Sequence, residues 1–179
     1  MRSLFEGPIR RTATAFSTSQ QALLARRALK TALVFQASQT DEPMAPPQHF
    51  AHVWRHATPP RQVAVWIGSH YRARQDPANS VFVQRPLSYE SLDSRVHPAQ
   101  PNESLFAFLN FLAVGGVSFV IVGHSYSERL EFEFHGPLAD ALLPIWPHRR
   151  PVVSWPPVYM MDQELIQILT LPPSGLNAA

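Results

Sequence analysis

The sequence predicts an α+β domain in which helices pack on one face of an antiparallel sheet. Three observations lead there: an apolar stripe at helical spacing near the N-terminus, two alternating apolar runs joined by Gly115-Gly116, and the lack of the helix–strand alternation that builds a parallel sheet. A chain of 179 residues is the size of one domain and can bury about two-thirds of its unfolded surface. One unit over 1–179 is expected, with 1–16 as an N-terminal extension and 171–179 as a frayed tail.

The elements follow in order. "FSTSQQALLARRALKTALVFQAS" opens with Ser17 as an N-cap and Gln20 three residues later, the spacing of a capping box. Leu24, Ala25, Ala28, Leu29, Ala32 and Leu33 then recur on one face, with Phe35 continuing the stripe and Arg26, Arg27 and Lys30 mostly off it. A helix from Thr18 to Ala37 is expected. "TDEPMAPP" breaks the chain, and "QHFAHVWRHA" fits a short second helix stopped by Pro59 and Pro60.

Val63, Val65 and Ile67 alternate with other residues in "RQVAVWIGSHY", as in a strand, and "SVFVQRP" reads as a second one. From Leu87 to Ser104 the composition turns to Ser, Asp, Pro, Asn and Gln, which implies a long loop. "FAFLNFLAVGGVSFVIVGHS" is a hairpin, its turn set by glycines that adopt positive φ cheaply. "RLEFEFHG" adds a strand with Leu130, Phe132 and Phe134 on one face and Glu131 and Glu133 on the other. After a proline-rich stretch, Asp162 caps an expected C-terminal helix from Gln163 to Leu169.

Composition removes several function classes. With no cysteine there is no disulfide, thiolate metal site or cysteine nucleophile. Fifteen basic against 13 acidic residues leave a net charge of +2, too small for a strong nucleic-acid footprint in spite of a pI near 9.4. Lys30 is the only lysine, so the positive charge is almost wholly guanidinium, suited to planar bidentate contacts. The N-terminus has no signal-peptide core, and no apolar run has membrane length. A soluble cytoplasmic protein is expected, with no membrane association and no cofactor.

Three arrangements could carry chemistry. Gly123-His124-Ser125 after an apolar strand resembles the nucleophile elbow of serine hydrolases, and Asp140 and His148 follow in triad order, but Ser127 replaces the second glycine. An ordinary strand end is the preferred reading of Ser125. His49, His52 and His56 share one face if their segment is helical, and three imidazoles could bind zinc, yet no acidic residue lies among them. A solvated histidine face is preferred. The doublets Arg10-Arg11, Arg26-Arg27 and Arg149-Arg150 could converge on phosphates, or simply be solvated. No glycine-rich phosphate loop and no metal-nuclease carboxylate set with its lysine can be assembled.

"IWPHRRPVVSWPP" concentrates Trp146, His148, Arg149, Arg150 and Trp155 among Pro147, Pro151, Pro156 and Pro157. Prolines fix φ and lower the entropy of the unfolded chain, so this stretch reads as a stiff connector with the tryptophans as buried anchors. Its exposed bend, His148 to Arg150, is where a partner would be touched.

Taken together, "RRALKTALVFQAS", the "PP" before "VAVWIGSHY", the Gly-centred hairpin, "LLPIWPHRRPVVSWPP" and "MDQELIQIL" resemble the C-terminal region of uncharacterised bacterial proteins labelled HNH-endonuclease-like. The similarity runs from about Ser17 to Leu169. In those proteins the region follows a Cys-rich zinc-ribbon or HNH-type segment, for which this cysteine-free chain has no counterpart. The resemblance therefore carries over no catalytic residue. It implies a non-enzymatic companion module that binds DNA or a protein partner. An immunity-type interaction protein and a hydrolase using Ser125 are the alternatives.

Overall fold

The computed structural model describes residues 14–39, 44–70, 80–87, 107–114, 117–125, 132–134, 137–155, 159–160 and 177–178. Strand β1 (Thr14–Ser17) leads directly into helix α1 (Thr18–Gln39), and α2 (Pro47–Arg55) follows. The strands β2 (Val63–His70), β3 (Ser80–Leu87), β4 (Ala107–Val114) and β5 (Val117–His124) come next. Then come β6 (Phe132–Glu133), the short helix α3 (Pro137–Ala141), β7 (Leu142–Trp146), β8 (Val152–Trp155), β9 (Tyr159–Met160) and β10 (Asn177–Ala178). The architecture is α+β, as the sequence predicts.

The capping box forms. The Ser17 amide donates to Gln20 Oε1 at 2.9 Å, and the longer return bond from the Gln20 amide to Ser17 Oγ is 3.5 Å. Helix α1 then lays Leu24, Ala25, Leu29, Ala32 and Leu33 on the main sheet. The alanines in that stripe let the helix axis approach the strands, where Val65, Ile67, Phe108, Leu112, Phe119 and Ile121 receive it.

The sheet runs in the order β3-β4-β5-β2-β7, with antiparallel neighbours throughout. β9 adds a parallel pair with Ser69 and His70 of β2, on the edge that β7 leaves at Gly68. The β4–β5 ladder closes at Val114 and Val117, as the Gly-Gly hairpin requires. A second ribbon pairs β1 with β8, burying Phe16 against Trp155.

The structure corrects the sequence reading in one respect. The sheet is covered on both faces: opposite α1, residues Leu109, Phe111, Val120 and Val122 are buried in a second cluster with Trp66, Phe134, Leu138 and Leu142. Burial on both sides explains why β4 and β5 read as nearly continuous apolar runs rather than clean alternations. The tail expected to fray contributes Asn177–Ala178 as a ladder partner for β6, whose backbone groups need one. Strand β1 likewise draws the end of the expected N-terminal extension into the core through Phe16. The expected 163–169 helix, most of the 87–104 loop and Arg10-Arg11 lie outside the described residues.

Candidate functional site

The site is built by the connector between β7 and β8. Strand β7 is an edge strand, which tolerates Pro144 because its missing N–H faces no partner that needs it. Its ladder with β2 shifts register between Val65 and Trp66, a bulge that places Trp146 opposite Val65 and Pro144 opposite Trp66. A cis Trp146–Pro147 bond follows. The indole Nε1 of Trp146 donates to the Pro60 carbonyl at 3.2 Å, and His148 meets the Trp146 ring edge-on at 5.0 Å.

The bend is pinned from the other side as well. Gln21, fully buried on α1, donates through Nε2 to the carbonyl of Phe16 at 2.9 Å and to that of Arg150 at 3.2 Å. Beyond it, Val153 and Trp155 enter the core. A backbone held at Trp146, Arg150 and Val153 is a rigid platform for the two arginines it carries.

Both arginines are exposed, and their side chains line a cavity of about 250 Å³ on the face of the sheet away from α1. Trp66, Phe134, Leu142 and Pro144 make its apolar wall, with Ala139 of α3 opposite. The Trp66 and Phe134 rings stand 4.8 Å apart at 76°, forming a corner. Among the described residues, Arg149 and Arg150 are the charged ones that line it. An apolar wall beside two guanidinium-bearing residues is chemically suited to a group that is apolar at one end and anionic at the other.

The other candidates are placed differently. Trp155 is 3% exposed and serves as an anchor, so it offers nothing to a ligand. Arg26 donates through Nη2 to the carbonyl of Val53 at 2.8 Å, satisfying a carbonyl in the last turn of α2. Arg27 beside it is half-buried on α1. Arg26 thus braces the two helices, and neither residue joins Arg149 and Arg150 in lining the cavity.

Ser125, Asp140 and His148 do not form a triad. Gly123 and His124 are strand residues, with Gly123 opposite Val63 at one end of β2. Asp140 lies on α3, which leads into Leu142 opposite Gly68 and packs against β9 at the other end. Five β2 residues separate those levels, about 17 Å at roughly 3.3 Å per residue. The glycine also has a packing reason unrelated to a nucleophile elbow: a Cβ at Gly123 would collide with the ring of Phe108.

The three histidines part company because α2 ends at Arg55, so His56 adopts extended backbone and leaves the helical spacing. His52 and His56 stack at 4.2 Å near the surface, with His52 Nε2 against the Thr58 carbonyl at 3.1 Å. His49 instead enters the core, 1% exposed, with its ring edge-on to Phe108. Burial, helped by the neighbouring His52, lowers its pKa to about 4. His124 at the end of β5 is wholly buried, and its pKa is also lowered to about 4, by burial and then by His49. Among the described residues no three His, Cys, Asp or Glu side chains are grouped to hold a metal ion.

Sequence reasoning singled out the arginines but not the wall beneath them. Trp66 could have been found, since it falls on the strand face opposite Val65 and Ile67; Phe134, Ala139 and Leu142 converge on it only through the fold. No protein-family model, curated protein or solved structure matches this chain. Among the described residues no helix is long and apolar enough to cross a membrane.

Proposed function

We propose that this protein is a non-enzymatic binding module that engages nucleic acid through the Arg149–Arg150 bend. The observation that carries this reading is the pair of exposed arginines that line a cavity on a backbone pinned through Trp146 and Gln21. Guanidiniums are matched to phosphate geometry, and a fixed platform spares the ordering cost that a mobile loop incurs on binding. The resemblance to the C-terminal region of HNH-endonuclease-like bacterial proteins supports the same role, a companion to a nuclease-like segment. Binding to duplex and single-stranded DNA across a salt series tests it. Wild type should show log K falling with log salt, and Arg149→Ala/Arg150→Ala should weaken binding and flatten that slope by about two. Binding with no salt dependence, or none even at low salt, sinks the proposal.

A second reading, an immunity-type interaction protein, is favoured by one surface. Trp54 is 63% exposed under Lys30 Nζ, which lies 3.9 Å from its ring centroid, and Val34 one turn along α1 is 54% exposed. Large apolar side chains beside a cation are typical of protein contact sites. Trp54→Ala should then abolish capture of a protein partner while leaving any DNA affinity intact.

A further inference from the structure

We infer that the outward side of the α1–α2 pair docks an acidic polypeptide segment that presents an apolar side chain to Trp54 and Val34; this rests on the interaction-protein reading above and names its partner's chemistry.

The two helices offer one surface. Gln36 accepts the Ala45 amide at 2.9 Å and Arg26 Nη2 donates to the Val53 carbonyl at 2.8 Å, so α2 runs back along α1, its start beside Gln36 and its end beside Arg26. Lys30 Nζ, 3.9 Å from the Trp54 ring centroid, makes a third tie. Between these ties, Val34 stands one turn beyond Lys30 and Ala51 one turn before Trp54, both exposed.

Tryptophan is highly buried on average. Trp54 nevertheless keeps 63% of its surface exposed with Lys30 already over its ring, and Val34 keeps 54%. The contact with Lys30 uses only part of the indole, so bracing the helices does not account for the rest. An exposed tryptophan flanked by aliphatic side chains has the composition of the centre of a protein contact.

Charge selects the partner. The described segments 14–39 and 44–70 contain Arg26, Arg27, Lys30, Arg55 and Arg61 and no Asp or Glu. Arg26 is turned to Val53, whereas Lys30 flanks Trp54 on α1 and the exposed Arg55 follows it on α2. Carboxylates complement those two cations, and an aliphatic or aromatic side chain covers Trp54 and Val34; an acidic polypeptide carries both kinds of group. A nucleic-acid strand matches the cations but offers Val34 and Ala51 little aliphatic surface to bury.

A displayed library of random dodecapeptides tests this. It would be selected on the wild-type chain, and the enriched peptides measured by fluorescence anisotropy on wild type, Trp54→Ala and Val34→Glu, each checked for folding by circular dichroism. Val34→Glu places a carboxylate in the patch, one turn from Lys30, while leaving Trp54 itself in place. The enriched peptides should be rich in Asp and Glu around an aromatic or aliphatic residue. Trp54→Ala should weaken them by about 30-fold or more, the scale of an interface hot spot. Val34→Glu should weaken them at least about tenfold through like-charge repulsion. Replacing the acids of a peptide with their amides should weaken wild-type binding and remove its salt dependence. Enriched peptides that need Trp54 but are neutral or basic, or that bind Val34→Glu as well as wild type, would overturn the inference and leave the interaction-protein reading standing. Peptides indifferent to Trp54→Ala, or no enrichment at all, would overturn both. So would an oligodeoxythymidylate that displaces the peptide and itself binds more weakly to Trp54→Ala, which would give this face to nucleic acid.

Discussion

The two faces of the main sheet differ in where their charged side chains stand, although both bury polar groups, Ser118 among them on the face away from α1. Beneath α1 the polar side chains are sealed inside: Gln36 accepts the Ala45 amide at 2.9 Å and donates to Asn110 Oδ1 at 3.0 Å, and His49 is buried against Phe108. On the far face the described wall of the cavity is apolar apart from the exposed Arg149 and Arg150. Sealed polar groups fix one arrangement of helix on sheet, since each must be partnered or tolerated at a cost. The arginines beside the cavity are exposed, so they contribute less to that arrangement. The face beneath α1 is thus architecture, and the far face carries the proposed contact surface.

The largest test of this contrast is acid. His49 and His124 are held to about 4, against an ordinary value near 6.5. Between those values the unfolded chain binds protons that the folded chain refuses, so stability is flat above about pH 6.5 and falls as pH drops toward 4. Each residue accounts for roughly 3 kcal/mol over the full window, at 1.36 kcal/mol per pKa unit, an order-of-magnitude figure. Urea midpoints measured from pH 7.5 to pH 4 should therefore fall steeply, and His49→Phe should remove about half of the slope. An unchanged slope in that variant would mean that the buried imidazole does not set the acid response.

Packing gives the next largest effect. Phe108 fills the space over Gly123 and supports His49 from the sheet side. Phe108→Ala should cost about 3–5 kcal/mol, as for other buried aromatics. Gly123→Ala should cost about 1–3 kcal/mol from overpacking, and the two costs should fail to add, because without the ring the added methyl has room. A double-mutant cycle by denaturant titration measures that coupling. Strict additivity would remove the packing explanation for the glycine.

Gln36→Leu probes the polar link on the same face. It leaves the Ala45 amide and the Asn110 side chain without their partner, for a loss of about 2–4 kcal/mol. If the variant is as stable as wild type, the link does not lock α1 and the following loop onto the sheet.

What was legible in the sequence divides along the same line. Helix α1, its Ser17–Gln20 cap and the Gly-centred hairpin were readable because each is a local pattern, fixed by residues within a few positions of one another. Burial of both sheet faces is written in the mainly apolar β4 and β5, broken at Asn110, Ser118 and His124, but the sequence alone reads these runs as alternating. The arginine pair stood out by chemistry, whereas the cavity under it needs Trp66, Phe134, Ala139 and Leu142 brought together by sheet order and by the path of the chain through α3. Spacing misled in the histidines: i, i+3, i+7 places three rings on one face only if the helix lasts, and it stops at Arg55.

The smallest expected effect on stability is the sharpest test of the comparison. Arg149 and Arg150 are exposed, and the structural duty of the bend falls on the Arg150 backbone carbonyl, held by Gln21, and on the Trp146 indole. Removing both side chains should therefore shift stability by no more than about 1 kcal/mol, the range of an exposed side-chain interaction such as the one Arg149 makes. Gln21→Leu, which takes the donor from two carbonyls, should cost about 1–3 kcal/mol while leaving both guanidiniums in place. The two variants should then separate in binding in the opposite sense: the arginine variant, nearly as stable as wild type, should lose the salt-dependent affinity, and the Gln21 variant should keep most of it. If the arginine variant proves as unstable as the Gln21 variant, the guanidiniums belong to the scaffold, the far face loses its distinction from the one beneath α1, and the contact surface has to be sought at Trp54 and Val34.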